Sequence, residues 1–554
     1  MNKKVCSFPI LFALLALLIG TCAVVFPASA QAAPTSTGSI TVSGTVASSY
    51  DAYQIFSANV VDGDSDAKIA TDLAWASDAA RDAVLPVLHS AGMPNSQTTA
   101  QEAAEWLNTD SHLTSALSAQ LARSLQSSGA VSVALNAGTA AGLPCGYWLI
   151  VADDDAIARG EAGTVPIMAL VGGSAVTVKP KAATPKVAKH VLEDSTAAWQ
   201  KAADATVADD LYWRLSATVP AGLTAYDTYT VRFVDTMSAG LDPSKVAASM
   251  RVYVAAGADG GFDAVSTGRD GRAGTDPAKG WTDITAQYRV SADGKTFTVR
   301  TGDLIAALGG ADAFTAGARV VAVYNAPLSS ACNHGIAKGN PNEVYLRYPR
   351  SPFADQSGDA GFTRTPSDNA CAYTWDLALT KRGSDGDKPL AGAVLSIADD
   401  RGRTLAADGA WDAEGKATVT TGEDGLVTVS GVDSGKLEVR ELKAPKGYAA
   451  FEGTRSVTVK AEGLDVDQVA AATPKLTITA ELPLRADSAD GSTGSLEASL
   501  INTPTGTPPS ITTGGFMPST GDMAMYAAAA AAVAGAALIV VALLVKRGGG
   551  SHKE

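Results

Sequence analysis

Three residues that together could form a covalent amide bond, Lys381, Glu441 and Asn502, occur in strand-like stretches of the last third of the chain. Each continues a series of apolar residues at alternate positions: Trp375, Leu377 and Leu379 for Lys381, Leu437 and Val439 for Glu441, and Leu496, Ala498 and Leu500 for Asn502. Because alternate side chains of a strand point to the same face of a sheet, we expect all three polar groups inside one apolar core.

The expected chemistry of this trio follows from burial. Burial raises the pKa of a carboxyl group and lowers the pKa of an amine, so we expect a neutral Lys381 beside a protonated Glu441. A neutral amine is a nucleophile, and a protonated carboxyl can polarise the amide of Asn502. Attack on that amide with loss of ammonia would leave an isopeptide bond. The alternative is three unrelated, exposed residues at strand ends.

A second buried pair is expected earlier in the chain, where Lys189 is in phase with Val187 and Val191, and Asp235 with Val231 and Phe233. The strand predicted from the alternation of Val344, Leu346 and Tyr348 does not end on an in-phase amide. Arg350 occupies the next in-phase position. We therefore predict an ion pair between an uncrosslinked Lys189 and an inactive Asp235, with Arg350 competing for the acid or turned to solvent. Four amides in or beside turn-like segments are the alternatives: Asn325, Asn333, Asn340 and Asn342.

The alternating pattern predicts a mainly β protein of three β-sandwich modules in tandem, since nearly 490 residues between the two ends exceed one core. In the first module, a capping box of Thr99 and Glu102 and leucines at positions 113, 117, 121 and 125 predict a helical insertion. Its only lysine, Lys68, lies in an Asp-rich segment, so no crosslink is expected there. The expected boundaries are a signal peptide 1–30, first module 35–178, linker 179–185, middle module 186–352, linker 353–371, third module 372–504, spacer 505–516 and a C-terminal signal 517–554.

Both ends of the chain carry targeting patterns. Lys3 and Lys4 precede an apolar run over residues 10–26 and a small-residue exit at 28–30, which predicts a cleaved secretory signal. Residues 523–545 are apolar, long enough to cross a bilayer as a helix, and are followed by Lys546 and Arg547. Met517-Pro518-Ser519-Thr520-Gly521 stands directly upstream.

The composition excludes several classes of function. The net charge of −14, without a basic cluster before the tail, argues against a nucleic-acid partner. No H-E-x-x-H, G-x-S-x-G or P-loop pattern occurs, so we expect neither an enzyme, nor a metal, nor a cofactor. Three cysteines follow the signal: Cys145 is expected in the core, and Cys332 and Cys371 either pair outside the cell or remain thiols.

Several of these motifs resemble those of sortase-assembled backbone pilins of Gram-positive bacteria. The third module resembles a collagen-adhesin B-type, SpaA-like domain in its stretches 389–393, 441–448 and 502–504, which are PLAGA, ELKAPKGY and NTP. The resemblance implies an isopeptide bond between Lys381 and Asn502 promoted by Glu441. Met517–Gly521 resembles the L-P-x-T-G sorting signal, with Met in place of Leu.

Residues 176–181, VTVKPK, resemble the pilin motif, in which the last lysine, here Lys181, receives the next subunit. Gly172 stands where the family has Trp. The resemblance implies attack of a sortase cysteine at Thr520, transfer to Lys181 of another copy, and a peptidoglycan-anchored surface pilus that follows a membrane-anchored precursor. The implied partners are further copies, pilin-type and housekeeping sortases, minor pilins and host surface ligands. A monomeric wall-anchored adhesin is the main alternative, and an anchored hydrolase is a distant third.

Overall fold

The computed structural model describes residues 37–506 apart from 45–46, 64–66, 110, 158–159, 181–183, 221–222, 258–280 and 316. Within this part the chain is mainly β, arranged in five sheets. The signal peptide, Lys181, the Met517–Gly521 motif and the apolar segment 523–545 all lie outside the described residues. Within the described ranges, no helix is long and apolar enough to span a membrane.

The first module is one eight-stranded sheet with three helices packed on it. The sheet order is β7-β6-β2-β4-β5-β1-β8, with β3 paired to β2. The elements are β1 (Thr37–Val42), β2 (Ser49–Asp62), β3 (Lys68–Trp75), α1 (Asp78–Ser90), α2 (Ala100–Asn108), α3 (Ser115–Ser128), β4 (Ser132–Asn136), β5 (Thr139–Pro144), β6 (Gly146–Ala152), β7 (Ile167–Val171) and β8 (Ala175–Val178).

The predicted helical insertion is present. Thr99 caps α2 in a capping box with Glu102, and α3 ends at the left-handed Gly129. Leu117, Leu121 and Leu125 of α3 are buried against the sheet, as their spacing predicted. Lys68 differs from the expectation: it begins strand β3, which pairs with β2, and it forms an ion pair with Asp62 on β2.

The middle module has two facing sheets, ordered β10-β9-β12-β18-β14-β15 and β11-β21-β19-β13-β17-β16, with β20 paired to β19. Its elements are β9 (Val187–Glu193), β10 (Ala198–Gln200), β11 (Ala202–Asp204), β12 (Tyr212–Thr218), β13 (Arg232–Met237), α4 (Val246–Ser249), β14 (Arg251–Ala255), β15 (Trp281–Asp283), β16 (Arg289–Asp293), β17 (Thr296–Arg300), α5 (Leu304–Ala307), β18 (Arg319–Asn325), β19 (Asn340–Pro349), β20 (Phe362–Arg364) and β21 (Asp368–Tyr373).

The segment 353–371 was expected to be a linker, and the structure corrects this. It supplies β20 and most of β21, and both strands pair with β19 inside the second sheet of the middle module. These strands are short and polar at their ends, so alternation over a few residues did not distinguish them from a loop. The middle module therefore extends to Tyr373.

The third module also consists of two sheets, ordered β27-β22-β32-β31 and β25-β24-β23-β28-β29-β30, with β26 on β23. Its strands are β22 (Trp375–Gly383), β23 (Val394–Ala398), β24 (Thr404–Leu405), β25 (Trp411–Asp412), β26 (Val419–Thr420), β27 (Leu426–Val432), β28 (Gly435–Lys443), β29 (Thr454–Glu462), β30 (Lys475–Ala480), β31 (Leu484–Asp490) and β32 (Ser495–Asn502). β22 and β32, the first and last strands, run parallel and in contact.

The middle and third modules meet through polar contacts. Trp375 at the start of β22 donates its indole N–H to the Asp204 carboxylate of β11 at 2.6 Å, and the backbone N–H of Ser434 donates to the same carboxylate at 2.9 Å. Asp209 of the middle module forms ion pairs with Arg401 and Arg403 of the third. The two modules are therefore joined by side-chain contacts as well as by the backbone.

Candidate crosslinking sites

The third module brings Lys381, Glu441 and Asn502 together. Lys381 lies on the core face of β22, where every second residue is buried, and its side chain is 0% exposed. Glu441 comes from β28 of the facing sheet, and Asn502 ends β32 beside β22. The parallel pairing of β22 with β32 places Lys381 opposite Leu500. Asn502 is two residues further along β32, on the same face of the sheet.

The Glu441 carboxyl group connects the amine and the amide. Its Oε1 lies 3.6 Å from Lys381 Nζ, and Asn502 Nδ2 donates to Oε1 at 2.8 Å and to Oε2 at 3.0 Å. The backbone N–H of Phe451 donates a hydrogen bond to Glu441 Oε2, and Lys381 Nζ donates one to the Leu500 carbonyl oxygen. Asn502 Oδ1 is buried without a hydrogen-bond partner, so Glu441 contacts the nitrogen of this amide and not its carbonyl oxygen.

The environment favours a neutral amine. Burial lowers the pKa of Lys381 to about 8, although the neighbouring Glu441 acts in the opposite direction. The lowered pKa increases the unprotonated fraction of this amine near neutral pH, and only the unprotonated form is a nucleophile. The Glu441 carboxyl group contacts Asn502 Nδ2. It can supply the proton that this nitrogen needs in order to leave as ammonia.

The lowered pKa of Lys381 predicts that stability depends on pH in a variant whose third module cannot form the crosslink. In Asn502→Ala, folded Lys381 releases its proton near pH 8 and unfolded Lys381 near its ordinary 10.5. Between these values the unfolded state binds more protons, so the free energy of unfolding should rise as pH rises. Urea unfolding over this range should show the rise in Asn502→Ala and a smaller one in Asn502→Ala/Lys381→Met, which lacks the amine. Equal slopes would contradict the assignment.

The middle module holds a second buried cluster, built around Lys189 on β9 and Asp235 on β13. Both side chains are 0% exposed and form an ion pair. Lys189 Nζ also donates to the Tyr324 hydroxyl at 2.9 Å, and that hydroxyl lies 3.1 Å from Asp235 Oδ2. Burial lowers the pKa of Lys189 to about 8 and raises the pKa of Asp235.

The predicted ion pair between Lys189 and Asp235 is present, and one of the four alternative amides, Asn342, also reaches this cluster. Asn342 Nδ2 donates to the Tyr324 hydroxyl at 2.8 Å, and Asn342 is fully buried inside β19. Asn325, Asn333 and Asn340 are hydrogen-bonded elsewhere. Asn342 Oδ1, like Asn502 Oδ1 in the third module, is buried without a hydrogen-bond partner.

Arg350, which was expected to compete for Asp235 or to turn to solvent, lies at the opposite end of β19. Its guanidinium donates to the Asp154 carbonyl at 2.9 Å and contacts the Asp155 carboxylate at 3.2 Å, both in the first module. The strand runs antiparallel to β13, so its beginning, not its end, is next to Asp235. Extending the alternation of Val344, Leu346 and Tyr348 backwards by two residues puts Asn342 in phase as well, but the alternation alone does not show which end of the strand meets Asp235.

The cysteines are not disulfide-bonded in the described structure. Cys332 and Cys371 are both buried, and burial raises the pKa of each thiol to about 11. Cys332 Sγ lies 3.7 Å from His334 Nε2, and His334 pairs with Asp376 at 2.9 Å. Cys145 is fully buried in the first module. Among the described residues, no group of three potential metal ligands occurs.

Comparison with known proteins gives a match within the third module. Residues 376–472 match the family model of the SpaA prealbumin-like fold domain. Over 129 residues the chain is 30% identical to the trypsin-resistant surface T6 protein of Streptococcus pyogenes serotype M6. That alignment covers 22% of this chain and 22% of the T6 protein, so homology is established for about a fifth of either.

Solved structures of similar fold include the T6 backbone pilin of serotype M6 Streptococcus pyogenes, with a TM-score of 0.47 and 16% identity over 86% of this chain and 100% of that one. The full-length major pilin SpaD of Corynebacterium diphtheriae has a TM-score of 0.41 and 15% identity, over 85% and 98% of the two chains.

Proposed function

We propose that this chain, whose residues 376–472 match the SpaA prealbumin-like fold domain, is the structural backbone subunit of a covalent surface pilus. The observation that carries the proposal is the buried trio of Lys381, Glu441 and Asn502 joining the first and last strands of the third module. A bond there would pass a pulling force directly between β22 and β32. The homology to a surface protein over 129 residues supports an extracellular location.

The proposed internal reaction is the same in both clusters. Neutral Lys381 attacks the side-chain carbonyl carbon of Asn502, the C–N bond of the amide breaks, and ammonia leaves. One proton passes from the lysine nitrogen through Glu441 to the departing nitrogen, so no oxidant or cofactor is needed. In the middle module, Lys189, Asn342 and Asp235 take the corresponding roles. Both reactions join two side chains of the same chain. Because no separate substrate is involved, we do not propose an enzyme activity.

The proposed assembly joins the sorting signal of one copy to the linker that follows the first module of another copy. A sortase cysteine attacks the carbonyl of Thr520, Gly521 onward is released, and the acyl group passes to the amine of Lys181 in another copy. Lys181 follows β8, which pairs with β1 at the end of the first module, and neighbouring Lys179 is exposed. The last subunit is joined to peptidoglycan. The partners are copies of this chain, pilin-type and housekeeping sortases, minor pilins and peptidoglycan.

Lys181→Ala should abolish polymer formation, because the variant removes the amine that accepts the next subunit. Immunoblots of wall extracts should show a ladder of high-mass species for the wild type and a single unpolymerised band for Lys181→Ala. Lys179→Ala removes an exposed lysine two positions away and should keep the ladder.

A wild type that gives a single band would instead indicate the monomeric wall-anchored adhesin. A ladder that persists in Lys181→Ala would show that another lysine accepts the next subunit. Thr520→Ala serves as the second control, since it removes the acyl donor and should also leave no ladder.

A further inference from the structure

Five arginines lie in direct register across the second sheet of the middle module. Arg289 of β16 is opposite Arg300 of β17, Arg300 is opposite Arg232 of β13, Arg232 is opposite Arg347 of β19, and Arg347 is opposite Arg364 of β20. Because directly opposite residues share a sheet face, all five side chains stand on one side. Phe233 and Asp235 of β13 face the core, so this row, which we call the arginine row, is on the outer face.

The arginine row is poorly neutralised. Among the described residues, Asp359 is the one carboxylate that forms ion pairs with the row, and it contacts both Arg232 and Arg347. Arg300 donates to the backbone carbonyl of Gln356, and Arg289 donates to the carbonyl of the preceding residue. Burial, and then repulsion by Arg300 among other causes, lowers the pKa of Arg232. Like charges directly opposite one another destabilise a sheet, so five in a row need a compensating anion.

Four of the five arginines are open to a ligand. Arg289 is exposed, and Arg300, Arg347 and Arg364 are partly exposed, whereas Arg232 at the centre of the row is buried against Gln356 and Asp359. Beside the row lies an open groove of about 350 Å³, lined in part by Arg347, Arg364 and the nearby Arg350. Neighbouring strands are ~4.8 Å apart, so the row extends over roughly 19 Å. The chain as a whole has a net charge of −14, which makes this concentration of positive charge a local feature.

We propose that the arginine row binds a linear acidic polysaccharide laid across the strands. Planar guanidinium groups bind anionic oxygens in a bidentate manner, and a row at strand spacing matches a chain of repeated anionic groups. The nearby aromatic rings are already covered, Phe362 by Arg232 at 3.9 Å and Tyr345 by Arg364 at 4.7 Å. No aromatic platform for nucleic-acid bases is therefore offered by the described part of this face.

An acidic peptide fits the arginine row less well. An extended peptide binds a sheet most effectively at an edge, where it gains main-chain hydrogen bonds, whereas the row crosses the face of five strands. A folded protein partner would need apolar anchors in a larger patch. A polysaccharide uses only the charges and hydroxyl contacts. This binding activity is separate from polymerisation and would make each subunit of a shaft adhesive.

The test is titration of the full secreted chain with heparin at low and raised salt. Arg289→Gln/Arg300→Gln/Arg364→Gln leaves the two arginines paired with Asp359 and should weaken binding by roughly tenfold or more, with a smaller salt dependence. A matched control, Arg81→Gln/Arg455→Gln/Arg485→Gln, removes the same charge from the other two modules and should bind like the wild type. Arg289→Gln alone, at an exposed site, should fold normally and show a partial loss.

Three outcomes would overturn the proposal. The first is a wild type that does not bind heparin at low salt, and the second is equal weakening in the row variant and the control. The third is binding of oligothymidylate or polyglutamate as tightly as heparin, which would show that any polyanion suffices. Thermal unfolding of each variant confirms that the modules remain folded.

Discussion

Glu441→Ala should increase the mass of the secreted chain by one ammonia, beyond the change in residue mass, because the crosslink between Lys381 and Asn502 no longer forms. The third module should also lose stability. Closing a loop of about 120 residues with a covalent link is worth roughly 4 to 5 kcal/mol in the free energy of unfolding, by analogy with disulfides. Intact-mass spectrometry and thermal unfolding measure the two effects.

The matched control for this prediction is Glu438→Ala, which removes an exposed carboxylate paired with Lys436 on the same strand. It should retain the crosslink and almost all of the stability, since exposed ion pairs contribute little. A wild-type third module with its full, uncrosslinked mass would contradict the proposed reaction, as would a Glu441→Ala chain that still lacks the ammonia.

Asn342→Ala should have a comparable effect in the middle module. The wild-type chain should be lighter by two ammonia molecules in total, and Asn342→Ala should restore one of them, because Lys189 loses its amide partner. The middle module should become easier to unfold and to cleave with proteases. Peptide mapping should find Lys189 joined to Asn342 in the wild type and unlinked in the variant.

Asn340→Ala provides the control, since Asn340 is buried on the same face of β19 but is hydrogen-bonded to Asn333 and Ala372. It should retain both crosslinks. If the wild type lacks one ammonia only and the Lys189 peptide is unlinked, then Lys189 and Asp235 form a stable buried ion pair, as the sequence alone suggested.

The sequence predicted those parts of the sites that depend on local periodicity. Lys381 follows three apolar residues at alternate positions on one strand, so its burial could be predicted without knowledge of the fold. The capping box before α2 and the leucines of α3 are equally local. These features depend on residues within one element, where spacing alone determines which face a side chain occupies.

The sequence could not predict which end of β19 lies beside Asp235. Asn342 and Arg350 are both in phase with Val344, Leu346 and Tyr348, and only the antiparallel pairing of β19 with β13 places Asn342 near the cluster. Tyr324 was missed for the same reason, since it reaches Lys189 from another strand. The arginine row depends on the register of five strands far apart in the sequence.

We propose that one copy of this chain is joined to the next through Thr520 and Lys181, and sequencing the junction peptides of wall-extracted polymer tests this bond. After protease digestion and mass spectrometry, we expect a branched peptide in which the carboxyl group of Thr520 is bonded to the side-chain nitrogen of Lys181. Recovery of Thr520 joined only to peptidoglycan fragments, with every Lys181 peptide unbranched, would contradict it.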